Sequence, residues 1–227
     1  MTQSTKLSYG KVVILGFLVY FFSYSMRLDY AASLVAIVND LGVTNTAASA
    51  AITGSFITYG VGQMAFGFVG DKLHPVKIIT FAMLGTILVN ILVSFCTSIT
   101  LISVLWCFNG VFQAMIWPPL CRFVAEQTTS AQYSNAITTV GISGSVGTIF
   151  VYLFVPAVLS ITAWVNVFRC MALFGAVIVT VWGVMTRGVS FEKPEPASTA
   201  NGKNEHSIFK IIALAGLVPI FFIIVLQ

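Results

Sequence analysis

The feature that most limits the possible folds is a succession of apolar runs, each long enough to cross a lipid bilayer. The hydrocarbon core of a bilayer is about 30 Å thick and takes roughly 20 apolar residues per helical crossing. Charged residues make up 8% of the 227-residue chain, against roughly 25% in an ordinary soluble domain. Such a chain cannot cover itself with a water-facing surface, so we predict an all-α membrane protein.

Six runs, bounded by charged and turn residues, predict a transmembrane bundle over residues 1–187. They cover Lys11–Val38, Thr46–Gly70, Val76–Phe95, Leu101–Val124, Ser134–Leu159 and Trp164–Met185. A polar stretch with prolines follows, and we predict it to be a linker over residues 188–207. One more apolar run, 208–227, is interpreted as the beginning of a seventh transmembrane helix that the sequence cuts short.

Basic residues indicate the orientation, because short cytoplasmic loops retain Lys and Arg. With the N-terminus in the cytoplasm, nine of the eleven Lys and Arg lie on the cytoplasmic side. The other two, Arg27 and Arg169, fall within helices. We therefore predict a multi-pass protein of the plasma (inner) membrane whose N-terminus is cytoplasmic.

Several function classes find no support in the sequence. The basic residues are scattered between apolar runs, which is unlike a nucleic-acid interface. The four cysteines form no CxxC pair and have no nearby histidine, so no metal site is expected. No phosphate-cradling loop, HExxH or GxSxG motif occurs, so neither enzymatic activity nor a cofactor is predicted.

The first run contains a stripe suited to binding an anion. Tyr20, Ser23, Tyr24 and Arg27 follow helical i, i+3, i+4 and i+7 spacing. A charge deep in the bilayer is costly unless it faces protein or a wet cavity, and a guanidinium can grip a phosphate or carboxylate with two donors. A buried ion pair is the structural alternative to this binding role.

Asp29 lies two positions beyond Arg27 and on an ideal helix points elsewhere. We predict a structural pair between Asp29 and Arg169. The alternative is that Asp29 takes up a proton that drives transport, as buried carboxylates in pumps can do.

Two further groups of residues are candidates for function. Gly67, Asp71, Lys72 and Lys77, together with Arg122, lie where the second and third helices meet the cytoplasm and could close an inner gate. Alternatively, Asp71 merely ends a helix. In the fourth run, Asn109, Gln113 and Trp117 share one face near Pro118 and Pro119; they either line a pathway or hold helices together.

Small residues occur on two helices: Gly54, Gly60, Gly62 and Gly67 on the second, and Ser143, Gly144, Ser145 and Gly147 on the fifth. Small side chains let helices approach closely. We expect these two sets to contact a second half of the protein that this sequence does not contain.

The run GFVGDKLHPVK resembles the loop between helices two and three of the major facilitator superfamily. The runs NGVFQAMIWPPLCR and TYGVGQMAFG, with Arg27 in the first helix, resemble the organophosphate:phosphate antiporter branch. The resemblance covers nearly all of 11–187. It implies a six-helix N-terminal bundle, alternating access around a midplane site, and a second bundle as partner.

The resemblance also implies that Arg27 is a phosphate ligand, in a site completed by a second arginine on helix seven. The glycerol-phosphate and hexose-phosphate exchangers of the branch have a lysine on helix two where this chain has Gln63. Gln63 is therefore an expected pocket residue, and the identity of the substrate stays open.

We therefore expect a secondary transporter of a small organic anion, exchanging a phosphorylated metabolite for phosphate. Tyr20, Tyr24, Gln63 and the polar face of the fourth helix would shape its pocket around Arg27. Two alternatives remain. One is a proton-coupled transporter of another organic anion, and the other is a transporter-like sensor of sugar phosphates.

Overall fold

The computed structural model describes residues 6–69, 73–189 and 191. In this part of the chain every regular element is an α-helix. The helices are α1 (Tyr9–Leu41), α2 (Asn45–Val69), α3 (Pro75–Val93), α4 (Ile99–Ala114), α5 (Trp117–Gln127), α6 (Ser130–Leu159) and α7 (Trp164–Met185). The predicted all-α bundle is confirmed, whereas the predicted seventh transmembrane helix and most of the predicted linker lie outside the described residues.

Five segments of the described chain are long and apolar enough to cross a membrane: α1, α3, α4 with α5, α6 and α7. The remaining helix, α2, has 25 residues but is rich in Ser, Thr and Gly, which lower its hydropathy. We call the end of the bundle with Tyr9, Pro75, Gln127 and Met185 the proximal end, and the opposite end the distal end. Among the described residues, the proximal end holds Lys6, Lys11, Lys77, Arg122 and Arg187.

The fourth crossing corrects the sequence prediction. We expected one continuous helix over Leu101–Val124, but a turn at Met115 and Ile116 divides it into α4 and α5. The prolines stand in the first turn of α5, where a missing N–H leaves no helical hydrogen bond unmade. The two prolines therefore start a second helix and do not interrupt a single one.

Two apolar cores lie at opposite ends of the bundle. The proximal core joins Leu15 and Val19 of α1 to residues of α3, α5, α6 and α7, among them Phe123 and Trp182. The distal core surrounds Tyr30 with residues of α2, α3, α4 and α7. The stretch of α1 between the cores holds Ser23, Ser25 and Asp29, so three of the four buried Ser and Asp residues of α1 lie in a middle layer; the fourth, Ser33, lies beyond Tyr30.

The helices pack mainly in three pairs: α1 along α6, α2 along α4, and α3 along α7. Close approach depends on small residues, because in lipid the packing of surfaces, and not the exclusion of water, holds helices together. A Cβ added at Gly147 of α6 would lie 2.6 Å from the carbonyl oxygen of Phe21. At Gly144 it would lie 3.0 Å from the ring of Tyr24.

These contacts correct the expectation that the glycines face a second half of the protein. Gly144 and Gly147 meet α1, while Gly54 and Gly62 of α2 meet Cys107 and Ala114 of α4. Ser143 is fully buried. Only part of the set, including Gly67 and Ser145, is exposed, so most of the small residues serve packing within this bundle.

We predict that Gly147→Val destabilises the protein, because a larger side chain would force α6 away from the backbone of α1. Overpacking of this kind typically costs about 1–3 kcal/mol. Thermal unfolding in detergent should show a lower midpoint than for the unchanged protein. The matched control is Gly141→Val in the same helix, where an added Cβ has nothing within 4 Å. Equal midpoints for the two variants would contradict the close contact of α1 and α6.

Candidate functional site

The candidate site centres on Arg27, near the middle of the 33-residue α1. Its guanidinium carbon lies 4.2 Å from the ring centroid of Tyr24 and 4.5 Å from that of Tyr59. The side chain is half-buried, and its Nε is buried without a hydrogen-bond partner. Within 6–69, 73–189 and 191, no carboxylate forms a salt bridge with Arg27. The two rings stabilise the cation, and its charge is not neutralised.

Tyr59 of α2 was missed in the sequence analysis. Its hydroxyl accepts a hydrogen bond of 2.8 Å from Nε2 of Gln63, which was predicted as a pocket residue. The two residues are four apart and so share a helix face, a spacing that could have identified Tyr59 once Gln63 was chosen. Because its oxygen accepts from Gln63, the hydroxyl hydrogen of Tyr59 is available to a ligand next to Arg27.

The position of Tyr59 depends on tight packing of α2 against α4. The hydroxyl of Thr58 donates to the carbonyl of Cys107 at 2.8 Å. Gly110 of α4 lies so close that an added Cβ would clash with the carbonyl of Ser55 and the hydroxyl of Thr58. The neighbouring Tyr59 is thereby held beside α1.

The remaining aromatic residues of the predicted site also come together. The ring of Tyr20 lies 5.0 Å from that of Tyr24 and 4.4 Å from that of Trp117, the first residue of α5. Tyr20 and Trp117 belong to the margin of the proximal core. The site therefore has Arg27 at one end of an aromatic row that leads to the break between α4 and α5.

The polar face of α4 is buried against α1. Gln113 accepts a 2.5 Å hydrogen bond from the hydroxyl of Ser23, and Asn109 donates to the carbonyl of Met26 at 3.1 Å. Both amides are 1% exposed. These contacts favour the packing interpretation for Asn109 and Gln113, although Oδ1 of Asn109 and Nε2 of Gln113 have no partner among the described residues.

The structure does not form the predicted pair of Asp29 and Arg169. Asp29 is fully buried; its Oδ1 accepts a hydrogen bond from the backbone of Tyr30, and its Oδ2 has no partner in the described part of the chain. Arg169 instead contacts Ser94 and Asn166. Spacing on α1 could exclude a contact of Asp29 with Arg27, but it could not identify the helix that Asp29 meets.

Of the predicted gate residues, Gly67, Lys77 and Arg122 lie at the proximal end, and Asp71 and Lys72 lie outside the described residues. Nη1 of Arg122 donates to the carbonyl of Leu73 at 3.0 Å, and its Nε forms a 2.6 Å ion pair with Glu126. Arg122 therefore connects α5 to the segment that precedes α3. Lys77 and Gly67 are exposed.

His74 immediately precedes α3 and contacts the ring of Phe191, with centroids 4.8 Å apart. Partial burial lowers its pKa, and the positive charges of Lys77 and Arg122 lower it further. The neutral imidazole is therefore favoured in the folded protein. This group contributes stability that is present above about pH 6.5 and declines as the pH falls from there toward the lowered pKa.

A cavity of about 750 Å³ opens along the distal half of α2, with Thr46, Ser49, Thr53 and Ile57 in its wall. None of its lining residues is charged or contacts Arg27. We therefore locate the candidate site by Arg27 and the rings that contact it, and not by the size of a cavity.

The family model of the Major Facilitator Superfamily matches residues 13–226. The chain belongs to the major facilitator superfamily. It is 25% identical over 150 residues to a probable hexose phosphate transport protein of Chlamydia trachomatis, covering 65% of this chain and 32% of the relative. It is 24% identical to the glycerol-3-phosphate transporter of Bacillus subtilis, covering 68% of this chain and 36% of the relative.

Another relative is the membrane sensor protein UhpC of Escherichia coli, 27% identical over 48% of this chain and 24% of the relative. The chain thus spans about a quarter to a third of the length of the curated relatives it matches. These relatives fit the organophosphate:phosphate antiporter branch, and by name they are transporters or sensors rather than enzymes.

Solved transporters share the fold. A bacterial homologue of the human lysosomal transporter Spinster, in an inward-facing and unoccupied conformation, gives a TM-score of 0.73 at 14% identity, over 92% of this chain and 50% of that one. A peptide transporter of the POT type, solved with sulfate, also gives 0.73 at 14% identity, over 95% of this chain and 46% of that one. At such identities the likeness shows the fold alone.

We predict that the imidazole of His74 titrates below the ordinary histidine pKa of about 6.5. NMR of histidine-labelled protein can measure this, since the chain has only two histidines. Arg122→Gln should raise the pKa of His74, because removing a nearby positive charge makes protonation easier. Arg187→Gln, whose charge does not act on His74, is the control. A pKa of His74 above 6.5 in the unchanged protein would contradict the described surroundings.

Proposed function

We propose that this protein is a secondary transporter that exchanges a phosphorylated organic anion for inorganic phosphate across the plasma membrane. Arg27 supplies the main positive charge of the site. The observation that carries the proposal is a guanidinium in the middle of a spanning helix with two aromatic rings and no carboxylate as partners among the described residues.

The cation–π contacts explain how the cation can be both stabilised and available. The guanidinium carbon lies over the rings of Tyr24 and Tyr59, and an aromatic ring attracts a cation without using up its N–H donors. An anion can therefore bind N–H groups of the half-buried Arg27 while Tyr24 and Tyr59 keep their contacts with the cation.

Exchange requires that the site be open to only one side of the membrane at a time. A second bundle, rocking against this one, would bring the ligand from one side to the other. Arg122 contributes to the proximal gate by its hydrogen bond to Leu73, which connects α5 to the segment before α3. The cluster of basic residues at the proximal end supports a cytoplasmic location of that end.

We predict that Arg27→Lys reduces anion uptake at least tenfold, since a charge-assisted contact contributes about 1.5–3 kcal/mol. Lysine keeps the charge but loses the planar fork and the stacking between two rings. The measurement is counterflow of labelled phosphate and of phosphorylated metabolites in proteoliposomes that contain the protein purified from its own membranes.

The control is Arg187→Lys, a conservative change near the end of α7. Undiminished uptake by the Arg27→Lys variant would eliminate Arg27 as the anion ligand. Saturable anion binding without any flux in the unchanged protein would instead favour a sensor, the activity named for the relative UhpC.

A second candidate function is proton-coupled transport of another organic anion. It is favoured by Asp29, which is fully buried and has an unpartnered carboxylate oxygen within the described part of the chain. Carboxyl groups inside membrane helices often belong to proton pathways. Asp29 does not contact Arg27 in the structure, so it could act separately from anion binding.

Under the exchange proposal, Asp29→Asn should retain phosphate counterflow. The amide is nearly isosteric, and its oxygen can still accept the hydrogen bond from the backbone of Tyr30. Uptake is measured with and without phosphate inside the vesicles, at equal and at unequal pH. Acid-driven uptake that needs no internal phosphate and disappears in Asp29→Asn would establish the proton-coupled alternative.

A further inference from the structure

Arg169 is a charged residue within a spanning helix, and it has no role in the proposed transport cycle. It lies five residues into α7, which begins at Trp164. At 1.5 Å per residue this is about 7.5 Å from the distal end of the helix. The headgroup region of a bilayer extends roughly 5–8 Å beyond the hydrocarbon on each side. With the distal end of α7 at the outer limit of the headgroups, Arg169 lies at the depth where hydrocarbon gives way to lipid headgroups.

The surroundings of Arg169 hold it in a defined orientation at the surface. Nε is 3.4 Å from the hydroxyl of Ser94, and Nη1 donates to Oδ1 of Asn166 at 3.2 Å. The guanidinium carbon is 5.2 Å from the ring centroid of Phe95. The residue is nevertheless exposed, and Nη2 makes no hydrogen bond to the described residues. The outer edge of the guanidinium is left open to a ligand.

No carboxylate neutralises this charge within the ranges that the structure describes. Asp40, at the distal end of α1, accepts a 2.8 Å hydrogen bond from the indole of Trp164. Asp29 is buried within the bundle. No described carboxylate therefore competes with an outside anion for Arg169.

An exposed apolar surface lies directly below Arg169. On α7, Leu173 and Val177 follow Arg169 at helical spacing and are 70% and 54% exposed. On the adjacent α3, Leu88 and Ile91 are 54% and 39% exposed, and Phe95, in the turn after α3, is 70% exposed. Since α3 packs along α7, the two stripes lie on neighbouring helices, and we call them together the α3/α7 surface.

A cation at headgroup depth above an apolar surface matches the two parts of a phospholipid. We propose that Arg169, with Asn166 and Ser94, binds the phosphate of a phospholipid whose acyl chains lie on the α3/α7 surface. The guanidinium edge donates to two phosphate oxygens, and Asn166 and Ser94 keep that edge in place. This site is separate from Arg27, which projects toward Tyr59 of α2.

The test is native mass spectrometry of delipidated protein in detergent, titrated with phosphatidylglycerol. We expect Arg169→Gln to bind the first lipid about tenfold more weakly, the result of losing one charge-assisted contact. Arg187→Gln, at the other end of α7, should bind like the unchanged protein. Arg169 is exposed, so its substitution should leave the thermal unfolding midpoint unchanged.

Equal affinity of Arg169→Gln and the unchanged protein for phosphatidylglycerol would overturn the proposal. So would displacement of the lipid by inorganic phosphate at similar concentration, since the site would then take a soluble anion. Detection of a protein dimer in place of the lipid adduct would show that a second copy covers the α3/α7 surface. Arg27→Lys should bind the lipid normally, so failure of the transport proposal would leave this result unaffected.

Discussion

The arrangement of the bundle depends on placing one guanidinium in the middle of a spanning helix. A charge in that position is tolerated only beside protein groups that interact with it or in a wet cavity. Here the guanidinium carbon lies over the rings of Tyr24 and Tyr59. Because Tyr59 belongs to α2, the close contact of α2 with α4 is part of what stabilises the charge.

The two apolar cores give this middle layer its boundaries. Each core ties α1 to several other helices, so the stretch of α1 between them is held at both ends. Polar side chains in the layer then meet fixed neighbours, as Ser23 meets Gln113 and Asn109 meets the Met26 carbonyl. Several polar atoms there remain unpaired within the described chain, Oδ2 of Asp29 among them. A site for a polar ligand requires such groups, because the ligand needs donors or acceptors that no other part of the protein already uses.

The helices could be predicted from the sequence because lipid imposes a simple rule on chain length and polarity. The last crossing, Trp164–Met185, has the predicted bounds, and the others differ by a few residues. The division of the fourth crossing was missed because prolines inside an apolar run and prolines that begin a new helix look the same in sequence. Arg27, Tyr24 and Tyr20 could be grouped by periodicity along one helix, and the structure brings them together.

Contacts between helices were harder to predict. Periodicity gives the face of a residue but not the helix that covers it, so Asp29 was paired with the wrong partner. Small residues suit contact within a bundle as well as contact between bundles. Those of α2 and α6 were wrongly expected to contact a second bundle. Tyr59 was overlooked although it lies one helical turn before Gln63, because nothing in the sequence places that face of α2 beside Arg27.

The turn at Met115 and Ile116 also has a mechanical consequence. A continuous helix bends only by stretching or breaking its i to i−4 hydrogen bonds, whereas at this turn the helical hydrogen-bond series is already interrupted and the next residues include two prolines without an N–H. The backbone at this turn therefore offers little resistance to a tilt of α5, and the buried Phe123 and Val124 are what hold α5 in place against the proximal core. A tilt of α5 would reach Arg27 through Trp117 and Tyr20, the rings at the other end of the aromatic row.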